Sequence, residues 1–193
     1  MVDDDRELLA AWRAGDRAAG DGLIRRHFDA VCRFFRTKLG DEVEDLIQRT
    51  FLDLLEAKGP VDNVRATLFT IAHRRLLDHL RMRYSRPVDQ LGSVSVADLG
   101  TSPSSAVGRS EEERLLHEAM RRVSVEHQVA LELAYWEEMS GPEIAAVLQV
   151  SEHTVRSRLA RARAALREEI GKLARTPAIA RTTLDAIDAR LAS

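Results

Sequence analysis

The sequence predicts an all-α protein made of two small helical domains joined by a flexible linker. Three observations carry that expectation. Ala, Leu, Arg and Glu dominate a chain of 193 residues that holds only 10 Gly and 5 Pro, and these are strong helix formers. Apolar residues recur at helical spacing through residues 6–84 and again from Glu111 to about Leu173, without alternating β-branched runs. Between these stretches, Ser85 to Ser110 breaks the period with Pro87, Gly92, Gly100, Pro103, Gly108 and several serines, which is the composition of a tether. The expected organisation is a first domain over 1–85, a linker over 86–110, a second domain over 111–172 and a helical extension over 173–193.

Composition narrows the function classes. The only cysteine, Cys32, permits neither an internal disulfide nor a cysteine zinc site, and its apolar neighbours make it a small core residue. The start, Met1-Val2-Asp3-Asp4-Asp5, is acidic and lacks the apolar run of a signal peptide. No stretch approaches the ~18 apolar residues of a membrane span, so a cytoplasmic protein without membrane insertion is expected. Among the histidines, His73 and His79 lie six apart on one helix and do not meet, and His27, His117, His127 and His153 add no metal cluster. There is no Gly-rich phosphate loop, no Ser-His-Asp signature and no catalytic carboxylate pair. No metal, no cofactor and no catalytic residue are expected: the chain reads as a protein that is not an enzyme. Trp12, Phe28, Phe34, Phe35, Tyr135 and Trp136 sit at helical spacing and are expected in the core.

The net charge of −2 conceals a pattern. Residues 65–86 carry Arg65, Arg74, Arg75, Arg81, Arg83 and Arg86 against Asp78 alone, and residues 152–167 carry Arg156, Arg158, Arg161, Arg163 and Arg167 against Glu152 alone. Residues 111–143 are acidic, with nine glutamates against Arg114, Arg121 and Arg122. Each domain thus ends in a basic helix, and two basic helices on a tether suit two contacts with one polyanion.

The second domain carries the most specific local pattern. Ser140, Pro142 and Glu143 suit a helix start, with Ile144, Ala145, Val147 and Leu148 inward. Gln149-Val150-Ser151 form a turn, at a position where glycine is often used because φ is positive. Ser151 then caps a second helix with Glu152 in its first turn. At about 100° per residue, Val155, Leu159, Ala162 and Leu166 share one side, whereas Arg156, Ser157, Ala160 and Arg161 fall on the other. This is a helix-turn-helix whose outer face suits the major groove. Arg158, Arg163 and Arg167 flank that face, at positions suited to phosphate.

In the first domain, Asp45 to Phe51 opens an amphipathic helix with Leu46, Ile47, Thr50, Phe51, Leu54 and Leu55 inward and Asp45, Gln48 and Arg49 near the outer side. A loop from Lys58 to Asn63 follows. The next helix, Val64 to about Arg83, turns Leu68, Phe69, Ala72, Leu76 and Leu80 inward and Arg74, Asp78 and Arg81 outward, with Arg75 at the edge.

The Asp-x-x-Gln-x-Thr-Phe pattern at 45–51, followed by Leu68 to Arg81, resembles region 2 of the extracytoplasmic-function sigma factors. Glu143-Ile144-Ala145 through Thr154 to Arg163 resembles their region 4. The order matches too, with a linker and no region 3 between, and the likeness covers roughly residues 6–170. It implies that Asp45, Gln48, Arg49 and Phe51 bind core RNA polymerase. It implies that Lys58, Asp62 and Asn63, with Arg74, Arg75 and Arg81, engage the minus-ten element of promoter DNA where strands separate and a base is flipped. His153, Thr154, Arg156, Ser157, Arg158, Ala160, Arg161 and Arg163 correspond to the residues that read the minus-thirty-five element. The resemblance also implies a protein that is monomeric when free and has an anti-sigma factor as a partner. Arg49 stands where an acidic residue is common, Thr67 where tryptophan is common, and the 58–63 loop is short. Two other readings remain open from the residues: a stand-alone helix-turn-helix regulator, which would need a dimer to read two half-sites, and an enzyme with an added DNA-binding domain. The tail after Pro177 places Ile179, Leu184, Ile187 and Leu191 at helical spacing, as for a short helix packed on the second domain.

Overall fold

In a computed structural model the described residues are 2–41, 43–84, 94–98 and 110–192. They form nine α-helices and an isolated bridge. In chain order these are α1 (Val2–Arg13), α2 (Arg17–Leu39), α3 (Glu44–Glu56), α4 (Val64–Tyr84), α5 (Glu111–Arg122), α6 (Val125–Tyr135), α7 (Gly141–Leu148), α8 (Glu152–Leu173) and α9 (Pro177–Ala192).

Local signals set the helix starts. The Asp16 carboxylate accepts the amides of Ala18 and Ala19 at 2.9 and 3.2 Å, and Ser110 with Glu113 forms a reciprocal capping box on α5. Ser124 caps α6 through the His127 amide. Gly20 lets the Trp12 ring of α1 lie against α2: a Cβ there would meet that ring at 2.5 Å.

α1 to α4 enclose Leu23, Phe34, Phe35, Leu54, Leu68, Phe69, Leu76 and Leu80, all at 2% exposure or less. Phe34 packs edge-on against Phe35 and Phe69. Cys32 belongs to this core. Phe28 does not: it is 43% exposed, because it falls at the edge of the stripe of Leu23, Val31, Phe34 and Phe35, beside Phe35 and not at the stripe's centre. Trp12, Tyr135 and Trp136 are half-buried.

The two domains are in contact. The first core continues through Val125, Val129, Ala130 and Leu133 of α6, then Met139, then Ile144, Val147 and Leu148 of α7, to Val155 of α8. α7 is apolar on nearly every side, so it packs on α8 with one face and on α4 with another. A second core joins Leu115, Ala119, Met120, Leu131, Ala162, Leu166, Ile170 and Ile187. α9 packs on α5 and α8 in that core, through Ile179, Leu184 and Ile187.

Most of the expected linker lies outside the described residues. Residues 94–98 are docked rather than free: the Val125 amide donates to Val94 at 3.0 Å, Ala97 donates to Arg121 at 2.9 Å, and Val96 is 1% exposed. An apolar side chain inside a Ser/Gly-rich stretch is the physical reason, since Val96 gains burial that its neighbours cannot.

Candidate nucleic-acid interface

The helix-turn-helix is built as a set of capped ends. The Glu143 carboxylate accepts from the Ser140 amide at 2.8 Å and its hydroxyl at 2.7 Å. These bonds, led by the hydroxyl, hold its pKa below the usual carboxylate range. Gln149 takes the left-handed conformation that the sequence required of it, with φ 55° and ψ 43°. Ser151 accepts the Thr154 amide at 3.1 Å and starts α8.

α8 buries Val155, Ala162, Leu166 and Ile170. His153, Arg156, Ala160 and Arg161 are exposed, with Thr154 and Ser157 half-buried beside them. This face is uninterrupted, and Ala160 leaves room for close approach of a base edge. Two arginines assigned to DNA are otherwise engaged. Arg158 reaches Glu126 of α6 at 3.1 Å with its side chain only 14% exposed. Arg163 binds the Tyr135 hydroxyl and lies over that ring. Their position between the two faces of α8 turns them back onto α6, so they brace α8 rather than extend its outer surface.

On α3, Asp45, Gln48 and Arg49 are exposed along one face, with Arg49 paired to Asp45 at 3.0 Å one turn away. Phe51 is 4% exposed and packs in the core. It cannot present its ring to a partner, because it falls on the stripe of Ile47 and Leu54. The side chain the sequence reading missed is Leu52, 44% exposed on the same face as Asp45, Gln48 and Arg49. Its signal was its spacing of seven from Asp45.

The loop from Ala57 to Asn63 exposes Lys58 and Asp62. Asn63 is instead a cap: its Oδ1 accepts the Ala66 amide at 2.9 Å, and its Nδ2 donates to Glu143 of α7 at 2.7 Å. On α4, Arg75 grips Asp53 of α3 with two bonds of 2.8 and 2.6 Å, so it ties α4 to α3. Arg74, at 66% side-chain exposure, makes only a longer contact of 3.4 Å to Asp53, and Arg81 is held loosely by Asp78.

Three cations of the first domain meet the glutamates of the second. Arg65 donates to the Glu137 carbonyl and carboxylate, and Arg33 reaches the same carboxylate at 2.5 Å. Lys38, fully buried, binds Glu132, the Phe34 carbonyl at 2.7 Å and the Thr37 hydroxyl at 3.1 Å. Thr37 and Gln128 also donate to Glu132, at 2.8 and 3.1 Å. Burial pushes the Lys38 pKa down against the opposing pull of Glu132. Burial, with the charges of Lys38 and Arg158, likewise pushes His73 of α4 down to about 4, although it hydrogen-bonds the Val147 backbone of α7.

Residues 23–86 match the Sigma-70 region 2 family and residues 113–166 match Sigma-70, region 4. The ECF RNA polymerase sigma factor SigM of Mycobacterium tuberculosis is 33% identical over 175 residues, spanning 88% of this chain and 86% of that one. This chain belongs to the ECF RNA polymerase sigma factors. It is an alternative sigma factor, directing promoter recognition, with a DNA-binding helix-turn-helix in region 4. The fold of this sigma factor is similar to that of CnrH, solved with the cytosolic domain of CnrY (TM-score 0.65, 26% identity, 89% of this chain and 99% of that one). It is also similar in fold to RpoE of Bartonella quintana, solved with the anti-sigma factor NepR (TM-score 0.59, 22% identity, 78% of this chain and 96% of that one). Helices α1 and α9 lie outside both matched regions of this sigma factor.

Proposed function

We infer that this sigma factor binds core RNA polymerase through the exposed face of α3, with Leu52 in place of Phe51 beside Asp45, Gln48 and Arg49. Region 2 then engages the minus-ten element through Lys58, Asp62, Arg74 and Arg81. Region 4 reads the minus-thirty-five element through His153, Thr154, Arg156, Ser157, Ala160 and Arg161. The observation that carries this reading is the pair of exposed cationic faces on α4 and α8, one in each matched region. The polymerase supplies the chemistry, and the sigma factor itself is not an enzyme. It works in the cytoplasm, where polymerase and DNA are. Among the described residues no helix is long and apolar enough to cross a membrane. The complexes of the structural neighbours support an anti-sigma partner here also.

This function requires the closed arrangement to open. Elements about 25 base pairs apart are separated by roughly 85 Å of B-form DNA. A compact chain of this length has a diameter of only about 40 Å. Once residues 94–98 leave their place against Val125 and Arg121, residues 85–109 extend to about 80 Å when fully stretched, which is enough to let the domains part. In the closed form, Asn63 and Arg65, at the minus-ten end of α4, are occupied by Glu143 and Glu137.

The test is capture of core polymerase by the tagged protein, followed by run-off transcription on fragmented genomic DNA. Binding with discrete start sites is expected. A dimer that binds duplex DNA but not core polymerase would establish a stand-alone regulator instead.

A further inference from the structure

The 57–63 loop is held from a helix outside both matched regions. α3 ends at Glu56 with no basic residue in its last turn, so its final carbonyls lack the usual cationic neighbour. Arg13, the last residue of α1, supplies it from 41 residues away. Its Nε donates to Leu55 O at 3.3 Å, its two terminal nitrogens to Leu54 O at 3.2 Å, Ala57 O at 2.6 Å and Gly59 O at 3.1 Å. The planar guanidinium fork fits four carbonyls that converge on one point, which a lysine ammonium cannot do in that geometry. Two of the four belong to the helix end and two to the loop. Gly59 adopts φ +90°, a conformation that turns its carbonyl toward Arg13 and that other residues rarely adopt.

At the far end, Asn63 caps α4 through the Ala66 amide. The loop is therefore fastened at both ends, with Lys58 and Asp62 exposed between. Arg6, two turns earlier on α1, stands 3.9 Å from Asp62. A cleft of about 530 Å³ separates α1 from the loop and is lined by Arg6, Leu9, Arg13, Pro60 and Val61.

We propose that Arg13 is a positioning residue for minus-ten recognition: by gathering the carbonyls of residues 54, 55, 57 and 59, it fixes the loop in the one shape that presents Lys58 and Asp62 to a displaced base. Arg13 itself does not touch DNA, because four of its five N–H donors are taken by the α3 end and the loop. The proposal rests on the reading of the 57–63 loop as a minus-ten contact. α1 becomes part of the specificity apparatus, although it precedes the matched region 2.

The test uses the full chain assembled with core polymerase. Arg13→Ala, Arg13→Lys, Lys58→Ala and Asp62→Ala are compared with the parent on a promoter found by run-off, and on variants with each minus-ten base changed singly. The expected result for Arg13→Ala is a loss of about fivefold or more in discrimination between the parent and changed bases. Core affinity and the minus-thirty-five preference stay unchanged, and Arg13→Lys recovers part of the loss. A uniform fall on all promoters, or an unchanged base profile, would overturn the proposal. If Lys58→Ala or Asp62→Ala flattens the profile and Arg13→Ala does not, the loop reading stands and Arg13 alone is refuted. If none of the loop variants changes the profile, the loop does not read this element and both ideas fall.

Discussion

The Lys38–Glu132 pair offers the sharpest perturbation of the closed arrangement. Glu132→Gln keeps the shape of the side chain and still accepts from Thr37 and Gln128. It leaves the Lys38 ammonium, at 0% side-chain exposure, without a carboxylate. Stranding one partner of a buried pair costs about 3–5 kcal/mol. The loss has a ceiling, because Lys38 can shed its proton instead: from an ordinary value of 10.5, that costs about 5 kcal/mol at neutral pH. The penalty falls on the closed form, since opening returns Lys38 to water. The closed-to-open ratio should therefore drop by roughly two to nearly four orders of magnitude. Small-angle scattering reads this directly. The parent should give a radius of gyration near 16 Å, as for any compact chain of this length, and Glu132→Gln a clearly larger one. The double variant Lys38→Met with Glu132→Leu should close again, because apolar residues of similar volume replace a buried pair at little cost. A Glu132→Gln protein as compact and as stable as the parent would refute the reasoning. A double variant that stays open would assign the effect to disturbed packing rather than to charge.

Acid should also open the closed form. His73 has a pKa of about 4 there, against 6.5 ordinarily, so the open or unfolded chain holds more protons between those values. The His73 contribution is full above about pH 6.5 and falls as pH drops toward 4, by about 2 kcal/mol at pH 5; denaturant titration across this range should show the slope, and His73→Gln should reduce it to the smaller part left by His79 and His127, which burial also holds below the ordinary value. Leu52→Ala should weaken core polymerase binding by about fivefold or more without changing the melting temperature. Phe51→Ala should do the reverse, costing about 3–5 kcal/mol of stability. Arg156→Ala should lose about 1–3 kcal/mol of preference for the minus-thirty-five element in competition binding. Arg163→Ala should instead lower stability with the base preference retained, because Arg163 is bound to Tyr135.

The parts of this structure legible in the sequence were those governed by local chemistry. The inward stripe of Leu68, Phe69, Ala72, Leu76 and Leu80 is entirely buried, at 0% exposure. Gln149 occupies the left-handed turn its position demanded, and the outward face of α8 carries Arg156, Ala160 and Arg161 as its period dictates. What escaped depended on partners distant in sequence. Arg75, Arg158 and Arg163 look alike as basic residues on helix flanks, but Asp53, Glu126 and Tyr135 hold them. Phe51 and Leu52 are adjacent apolar residues, and one position of helical phase separates core from surface. The acidic character of residues 111–143 was visible as composition, yet its use was not. Glu132, Glu137 and Glu143 take Lys38, Arg33, Arg65 and Asn63, pairings across 72 to 104 residues.

These pairings differ in weight. Arg33 and Arg65 keep 42% and 36% side-chain exposure, whereas the Glu137 carboxylate they share keeps 7%, so water and salt screen the cations more than their acceptor. They fix the register of α6 and α7 against α2 and α4 more than they hold it. DNA phosphate is a fair competitor for such cations, since it offers the same charge and more acceptors. The apolar contact of Ile144, Val147 and Leu148 with the α4 side supplies attraction without direction. Lys38 supplies direction at high stakes, because it is tolerable only with Glu132 opposite it. Closure therefore depends on the apolar sides of α6 and α7 and on one buried pair. Charged residues at the rim can exchange carboxylate for phosphate once polymerase holds the domains apart.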